Sequence, residues 1–462
     1  MKQIQKQESM PLIGLEIHAY LVTKEKLFCK CTASREKGLK PNTNICPICT
    51  GQPGAKPMLA NKEAVKKAVQ LGLMLNCKIN PSLIWQRKHY DWPDMPKGYQ
   101  NTISGTYAIP LGINGEFQGI GLWSMHLEED PASWNPETGE IDYNRSGLPL
   151  VEIITAPDFS SSKQVMLWLN KLIHNLAYLK AVDSNAGIKV DVNVNIHKKT
   201  ERVEIKNISS IENIGKAIEY ELKRQEELIK ENKKGEKETR RFDPQKEITV
   251  RMRGKEEAED YRFISDPDLS NIDLKKEFIK EIKDSIPQSP EEKLKNFINN
   301  HKIDKKNAET LSKNIDVAEF FEEISKNVDS KFALPWVTVE LLRFLNYNKT
   351  TLDKVKINPD HFVSLLNLVK QNKITELQGK QLLNKFYPES FDPSSNIEQK
   401  ITSEKELEVI IKVVIKENPK PVNDYKSGEK QAFNYLMGEI MKKTEKRADF
   451  AIARKVLERL LK

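Results

Sequence analysis

The chain contains little cysteine and no long hydrophobic run. Five of its 462 residues are cysteines. No stretch reaches the roughly 18 apolar residues that a membrane-spanning helix requires, and the N-terminal MKQIQKQESM is polar where a signal peptide needs an apolar segment. We therefore expect a cytoplasmic protein whose thiols stay reduced, which argues against a disulfide framework.

The common nucleotide-binding signatures are also missing. No Walker, Rossmann or kinase motif occurs, and no internal repeat is evident. Hydrophobic residues make up 38% and charged residues 30% of the chain, a balance typical of soluble globular proteins. At about 100 to 200 residues per domain, the length predicts about two to four domains.

Positive charge is concentrated at the C-terminal end. The net charge is +8, and MKKTEKRADFAIARKVLERLLK, residues 441–462, holds eight Lys or Arg against three Asp or Glu. Such a patch favours a polyanion such as nucleic acid, because binding releases condensed counterions. A solvated helix face is the alternative interpretation.

Four of the five cysteines lie together in FCKCTASREKGLKPNTNICPIC. Cys29-x-Cys31 and Cys46-x-x-Cys49 form two pairs with fourteen residues between them. Two such pairs can hold zinc at about 2.3 Å and leave no open position for chemistry. We expect a structural zinc knuckle. A redox pair is the competitor, but it lacks a neighbouring histidine and a thioredoxin-like unit. Cys77 is expected to be an inert, half-buried thiol.

Short apolar runs, Gly and Pro dominate from residue 10 to about 270, which predicts strands with a few helices. The strand candidates are LIGLEIHAYL, GIGLWSMHL, LPLVEIIT and VDVNVNI. Helical period occurs in KEAVKKAVQLGLML and SSKQVMLWLNKLIHNLAYL. The charged run KENKKGEKETRRFDPQ predicts an exposed connection or a mobile hairpin.

Helix signals take over after Pro287. Ser289 and Glu292 form a capping box with Pro at the first helical position. Ser403 and Glu406 form a second box, whose helix should end before the following Asn-Pro pair.

The predicted fold class is α+β. A strand-rich domain of mostly antiparallel sheet with flanking helices should cover residues 1–286. An all-α helical domain at 287–395 and an α-helical tail domain at 396–462 should follow, divided near SFDPSSN.

The strand GLEIHAYL carries the first candidate site residues. Alternation places Leu15 and Ile17 on one face and Glu16, His18 and Tyr20 on the other. A carboxylate and an imidazole two residues apart are a ready pair of metal ligands, although a solvated strand face would look the same.

Two further carboxylates lie in apolar surroundings. Glu152 is inside the apolar run LPLVEIIT with no nearby cation in sequence, and burying an unpaired carboxylate costs several kcal/mol. In MHLEED, alternation places Glu129 with Met125 and Leu127, which predicts that it points inward. Three strand carboxylates and a histidine suit a hard divalent cation, and we expect magnesium.

Several long motifs occur in an order that resembles a known family. They are PNTNICPICTGQPGAKP, RKHYDWPDMPKGYQ, DYNRSGLPLVEIITAPD, VEIKNISSIENI, ETRRFD, DYRFISDPDL and NYLMGEIMKKTEKRAD. Together with the stretches above they resemble the B subunits of aspartyl/glutamyl-tRNA(Asn/Gln) amidotransferases, over essentially the whole chain. The cysteine pairs make it similar to archaeal-like members with a zinc knuckle.

This resemblance implies a fold and an activity. It implies a cradle-shaped domain, a helical domain and a tail, in a heterotrimer with the amidase (the A component) and a small third protein (the C component). The B subunit would use ATP and Mg²⁺ to phosphorylate the side-chain carboxylate of Asp or Glu misacylated onto tRNA. Ammonia, released from glutamine by the amidase, would then displace the phosphate to give Asn-tRNA(Asn) or Gln-tRNA(Gln).

The resemblance also assigns residues. The family's magnesium and catalytic site falls on Glu16, His18, Glu129 and Glu152. Phosphoryl transfer requires positioning and charge neutralisation, for which the candidate ATP-binding cations are Arg87, Lys88, Lys97, Lys206, Arg240 and Arg262. The tRNA-binding residues of the tail are expected to be Lys442, Lys443, Lys446 and Arg447.

The chain departs from the family pattern in places. Lys189 stands where Arg is expected and lacks the bidentate fork of a guanidinium. No glycine lies beside Arg447, where one is usual. Many bacterial relatives lack the cysteines, so their metal is not expected to be catalytic.

Two alternatives compete with this function. The archaeal E subunit, specific for Glu-tRNA(Gln), has a large inserted domain for which 462 residues leave no room. A non-catalytic, zinc-containing tRNA-binding scaffold is the alternative from another class. The presence of Glu16, His18, Glu129 and Glu152 argues against it.

Overall fold

The described part of the chain forms two compact units. A computed structural model describes residues 10–36, 38–183, 187–208, 210–254, 262–396 and 400–461. The units are Met1–Gln288, which contains the sheet, and Ser289–Lys462, which is helical. The α+β class predicted from the sequence is confirmed. The division into three domains stays a prediction.

The strands of the described ranges lie in the first unit, and all but five of them have six residues or fewer. They are β1 (Pro11–Tyr20), β2 (Lys78–Ile79), β3 (Ser82–Leu83), β4 (Gln86–His89), β5 (Tyr99–Thr102), β6 (Gly112–Phe117), β7 (Ile120–Glu129), β8 (Ser133–Trp134), β9 (Ile141–Asp142), β10 (Pro149–Thr155), β11 (Ile188–Ile196), β12 (Val203–Ile208), β13 (Glu238–Asp243), β14 (Ile248–Gly254), β15 (Arg262–Ser265) and β16 (Ile272–Asp273).

Twelve of these strands form one sheet with β1 near its centre. The order is β14-β13-β12-β11-β1-β10-β7-β5-β4-β15, and β6 and β2 extend from β7. The pairings are antiparallel except that of β12 with β13. In register, His18 of β1 lies opposite Glu152 of β10 on one side and Lys189 of β11 on the other.

One face of the sheet is covered by helices. These are α1 (Lys62–Met74), α2 (Ser162–Leu179) and α3 (Ile211–Lys230), and α4 (Lys276–Asp284) follows near the end of the unit. Their apolar sides pack on alternate strand residues such as Leu15, Ile17 and Val151, each at most 1% exposed. Each buried aliphatic side chain stabilises the fold by about 1.5 to 3 kcal/mol.

The second unit is built from short helices. They are α5 (Pro290–Asn299), α6 (Lys305–Leu311), α7 (Ile315–Ser325), α8 (Ser330–Pro335), α9 (Leu342–Tyr347), α10 (Pro359–Lys370), α11 (Glu376–Asn384), α12 (Glu404–Glu417), α13 (Pro419–Lys426), α14 (Lys430–Lys443) and α15 (Phe450–Leu461), with a π-helical turn at Trp336–Leu341. Their buried apolar residues form two separate clusters, between Phe297 and Phe386 and between Ile401 and Leu461. No helix in the described ranges is both long and apolar enough to cross a membrane.

The local predictions are mostly confirmed. All four strand candidates and both helix candidates occur with ends shifted by a residue or two. Ser289 forms the full capping box with Glu292. Ser403 forms only half of its box, accepting from the N–H of Glu406, and the helix it begins ends at Glu417 as predicted. The charged run contains strand β13, which pairs with β14 as a hairpin.

Candidate active site on the open face of the sheet

The face of the sheet opposite the helices is polar. Since side chains alternate along β1, Glu16 and His18 point to this open face while Leu15 and Ile17 enter the core. In β10, Val151 and Ile153 are buried in the same core and Glu152 lies between them on the open face. The apolar sequence around Glu152 suggested that its carboxylate is enclosed in the core. The structure instead places it on the open face, outside the core.

His18 lies between two carboxylates, and we call His18, Glu128 and Glu152 the histidine–carboxylate group. The His18 Nε2 atom is 3.6 Å from Glu152 Oε1 and 3.9 Å from Glu128 Oε1. The three side chains are 23%, 15% and 8% exposed for His18, Glu152 and Glu128, so they are partly shielded from water but reachable. A third strand, β7, thus contributes to the group.

The surroundings of Glu128 shift its pKa. Burial raises its pKa to about 8, and the charge of Glu152 adds to the effect while Lys88 opposes it. Glu128 therefore holds a proton at neutral pH unless a cation is present. A divalent cation would stabilise two carboxylates placed this close to one histidine, so these residues fit a magnesium ion.

His126 is the neighbour of Glu152 on β7 and is buried. One ring nitrogen, Nε2, lies 2.8 Å from Ser124 Oγ, and the other, Nδ1, lies 3.2 Å from the Ile103 carbonyl oxygen. Burial lowers its pKa. A neutral His126 with both nitrogens engaged lines the group without adding charge.

A second set of carboxylates lies beside Glu16, and we call Glu16, Asp191 and Glu204 the acidic cluster. One ligand atom from each lies within 4.8 Å of the others. Burial raises the pKa of Glu16, followed by the charges of Glu152 and Glu204, whereas the amide of Asn193, 3.0 Å away, lowers it. The Nζ atom of Lys206 lies 3.1 Å from Glu204 and partly neutralises the cluster.

Glu129 points away from these groups. It is buried as predicted, but its carboxylate accepts hydrogen bonds from Lys97 Nζ and from the N–H of Asn101, the latter at 3.0 Å. The cause is the strand alternation that was used to predict its burial, because it sends consecutive side chains to opposite faces. The same rule places Glu128 with Ser124 and His126 on the open face, and this was missed.

The network around Lys97 continues to Arg87. Lys97 Nζ also donates to Asn101 Oδ1 at 2.8 Å, and the Asn101 amide donates to the buried Asp266. Arg87 pairs with Asp266 at 2.8 Å and with Asp268 at 2.7 Å. These two predicted ATP-binding cations thus have carboxylate partners in the protein itself.

The other predicted cations are spread along the sheet. Lys88 acts on the charge of Glu128 and Lys206 on the acidic cluster, so both lie by the open face. Arg240 instead donates to Thr249 Oγ1 at 2.8 Å and to Glu238 at 3.0 Å. Arg262 is exposed on β15, in register with His89.

Lys189, where an arginine was expected, lies on β11 opposite His18. Burial lowers its pKa, an effect that Asp130 opposes. The groups that act on its charge include Asp130, Arg145 and Arg35, so the lysine ammonium shares its surroundings with that charged set.

The four cysteines come together as predicted. One ligand atom from each lies within 4.8 Å of the others, and Cys49 Sγ is 4.0 Å from Cys31 Sγ and 3.9 Å from Cys46 Sγ. A hydrogen bond from Cys29 lowers the pKa of Cys49 to about 5, and the charge of Lys26 contributes. Four thiols at these separations fit tetrahedral zinc.

Cys77 lies outside this cluster and is buried rather than half-buried. Burial raises its pKa to about 11, which fits the inert thiol expected.

The four predicted tRNA-binding residues of the second unit fall into two sets. Lys442 and Lys446 line a groove of about 930 Å³ between α11 and α14. Lys443 instead pairs with Glu417 at 2.5 Å, and Arg447 Nε donates to the Thr444 carbonyl at 3.2 Å.

Comparisons with known proteins identify the class and the family. Residues 11–280 match the model of the GatB/GatE catalytic domain, and residues 319–461 match that of the GatB domain. The chain is thus an enzyme subunit in which a catalytic sheet domain precedes a helical domain.

Curated relatives match almost end to end. A protein from Methanocaldococcus jannaschii is 41% identical over 94% of both chains. One from Methanopyrus kandleri is 39% identical over 97% of this chain and 98% of its own. One from Methanothermobacter thermautotrophicus is 39% identical over 94% of this chain and 97% of its own. Each is named as the B subunit of an aspartyl/glutamyl-tRNA(Asn/Gln) amidotransferase. This chain belongs to the GatB family.

Proposed function

We propose that the chain is the B subunit of a glutamine-dependent tRNA amidotransferase. It would act in protein biosynthesis by converting Asp-tRNA(Asn), Glu-tRNA(Gln) or both to the amidated forms. The observation that carries this proposal is the near full-length match to relatives that are named as this subunit. The cytoplasm, where aminoacyl-tRNA is used, is the compartment that this function implies.

The chemistry requires two steps. The side-chain carboxylate oxygen attacks the γ-phosphorus of ATP, the bond to the β-phosphate oxygen breaks, and ADP leaves with an acyl phosphate formed. Ammonia then attacks the acyl carbon, phosphate leaves with the bonding electron pair, and the amide nitrogen loses a proton. The first step is mostly positioning and charge neutralisation, since the groups involved are all anionic.

We assign the phosphorylation site to the open face of the sheet. Glu16, His18 and Glu152 would hold Mg²⁺, and the position of Glu128 beside His18 adds it to the set. Bound there, magnesium would neutralise the charge of the transferred phosphoryl group. Glu129 stays a candidate from the family resemblance, although its contacts with Lys97 favour a role in positioning that lysine.

The cations would complete charge neutralisation. Lys88 and Lys206 flank the open face and are the candidates that the geometry favours for ATP. Arg87, Lys97 and Arg262 stay candidates, and Lys97 and Arg87 would have to exchange partners to reach a phosphate. The contacts of Arg240 favour a structural role.

We further propose that the cysteine cluster holds a structural zinc ion. Its four thiols leave no ligand position for substrate. The cysteine-bearing loop also lies against the segment that carries Lys97. Gly51 of this loop approaches the carbonyl of Pro96, the residue before Lys97, so closely that a Cβ at Gly51 would collide with it. The zinc would fix this loop rather than take part in the reaction.

The tRNA would contact the second unit. Lys442 and Lys446 face a groove whose other wall carries Lys385, Gln378 and Gln381. Amines and amides suit phosphate oxygens and sugar hydroxyls. We also propose that Lys443 and Arg447 contact tRNA. To do so, Lys443 would have to leave Glu417 and Arg447 would have to leave the Thr444 carbonyl.

Reconstitution tests this function against the scaffold alternative. The chain, combined with the amidase and the small third protein of the heterotrimer, is incubated with each misacylated tRNA, ATP and glutamine. The proposal predicts ATP hydrolysis that depends on misacylated tRNA, and Asn or Gln on the tRNA afterwards. Tight tRNA binding with neither ATP hydrolysis nor amidation would favour the scaffold.

A further inference from the structure

Lys26 is a buried lysine without a carboxylate partner. The residue is 1% exposed, and within the described ranges no Asp or Glu forms an ion pair with it. Its Nζ atom lies 3.1 Å from the Tyr143 carbonyl oxygen and 3.6 Å from Cys49 Sγ. Burying an ammonium group without a counter-charge costs several kcal/mol, so a negative charge is needed nearby.

The cysteine cluster supplies that charge when it holds a metal. Four thiolates around Zn²⁺ carry a net charge of −2, which is itself unfavourable in a buried position. Cys49, the thiol nearest to Lys26, also accepts the N–H of Cys46 at 3.2 Å. An ammonium group and an amide therefore converge on one sulfur.

The surroundings hold Lys26 in this position. A Cβ at Gly147 would lie 3.6 Å from the Lys26 side chain, so the aliphatic stem packs against that glycine. The backbone N–H of Lys26 donates to the Cys31 carbonyl at 2.9 Å. The Ser146 hydroxyl donates to the Cys49 carbonyl at 2.7 Å.

We propose that Lys26 is a positioning residue for the zinc site: its ammonium group balances the charge of the four-thiolate complex and joins it to the 143–147 segment. That segment leads into β10, which carries Glu152. The inference rests on the proposed zinc site. It adds Lys26 to the residues that keep zinc bound there. It also explains why a lysine, rather than an apolar side chain, fills this buried position.

The test compares zinc affinity in three full-length proteins: wild type, Lys26→Met and Lys30→Met. Lys30 lies between Cys29 and Cys31 but is exposed, which makes it the matched control. Zinc affinity is measured by competition with a chromophoric chelator. Since loss of a group that supports metal ligands weakens metal affinity by about 10- to 100-fold, Lys26→Met should lose zinc at correspondingly lower chelator concentration. Lys30→Met should behave as wild type.

The outcomes separate the two proposals. Wild type without stoichiometric zinc would refute the zinc site itself. A folded Lys26→Met protein with wild-type zinc affinity would refute the role of Lys26 alone, because a purely packing role changes the stability of loaded and zinc-free protein equally. If Lys26→Met does not fold, Lys26→Gln replaces it, since the amide can still donate to the Tyr143 carbonyl but carries no charge. Unchanged zinc affinity of Lys26→Gln would equally overturn the inference.

Discussion

At the scale of single residues, Glu128 makes the stability of the protein depend on pH. Its pKa is raised from 4.5 to about 8, so the folded protein keeps a proton that the unfolded chain releases between these values. The contribution of this group to the free energy of unfolding therefore falls as the pH rises through that window. Glu128→Gln removes the effect. Without added magnesium, the variant should be more stable than wild type at about pH 9, with a gain that shrinks toward about pH 5.

Urea unfolding at a series of pH values measures this difference. Glu137→Gln, in an exposed turn, is the control and should show no such trend. A gain for Glu128→Gln that does not change with pH would contradict the environment described for this carboxyl.

Residue patterns predicted part of the site. Alternation along β1 correctly separated Glu16 and His18 from the core, because a strand beside one covered face obeys that rule strictly. Alternation along β7 would have placed Glu128 on the same open face, but no pattern within one strand shows that it lies beside His18 or that Glu16 meets Asp191 and Glu204. Those groups are assembled from different strands by the register between them, and strand pairing is not encoded in spacing along one segment. Asp266 and Asp268, the partners of Arg87, lie 179 and 181 residues away in sequence, so local patterns could not predict these pairs either.

At the scale of elements, the cap of α5 is a testable contribution to stability. Ser289 accepts from the N–H of Glu292, whose carboxylate in turn accepts from the N–H of Ser289 at 2.8 Å. Ser289→Ala should lower the free energy of unfolding by about 1 kcal/mol. Ser289→Thr, which can form the same cap, should lose little. Denaturant titration measures both, and equal losses would argue that the hydroxyl does not cap the helix.

Helices and strands with strong periodicity were predictable because their burial follows one face. The half-formed box at Ser403 was not, since the reciprocal contact depends on a rotamer of Glu406 that sequence leaves open. The strand order, with β1 between β10 and β11, also required long-range information.

At the scale of the whole molecule, the proposed tRNA contact predicts a salt-dependent effect. Changing both Lys442 and Lys446, which line the groove, to Gln should weaken tRNA binding. It should also reduce the slope of log affinity against log salt by about one per lysine that contacts phosphate. Lys443→Gln should change both less than the double variant does, because the Lys443 ammonium must first leave Glu417 to contact a phosphate. Filter binding at several salt concentrations measures the slopes, and an unchanged slope for the double variant would place tRNA elsewhere.

We propose that ATP phosphorylates the substrate carboxylate at the histidine–carboxylate group, where Glu152 would help to hold magnesium. The most direct measurement is amidation of misacylated tRNA by the reconstituted complex containing Glu152→Gln, with Glu137→Gln as control and tRNA affinity measured in parallel. Because a magnesium ligand is lost, Glu152→Gln should abolish tRNA-dependent ATP hydrolysis and amidation while tRNA affinity stays close to wild type, and the control should keep full activity. Full amidation by Glu152→Gln would rule out this magnesium site.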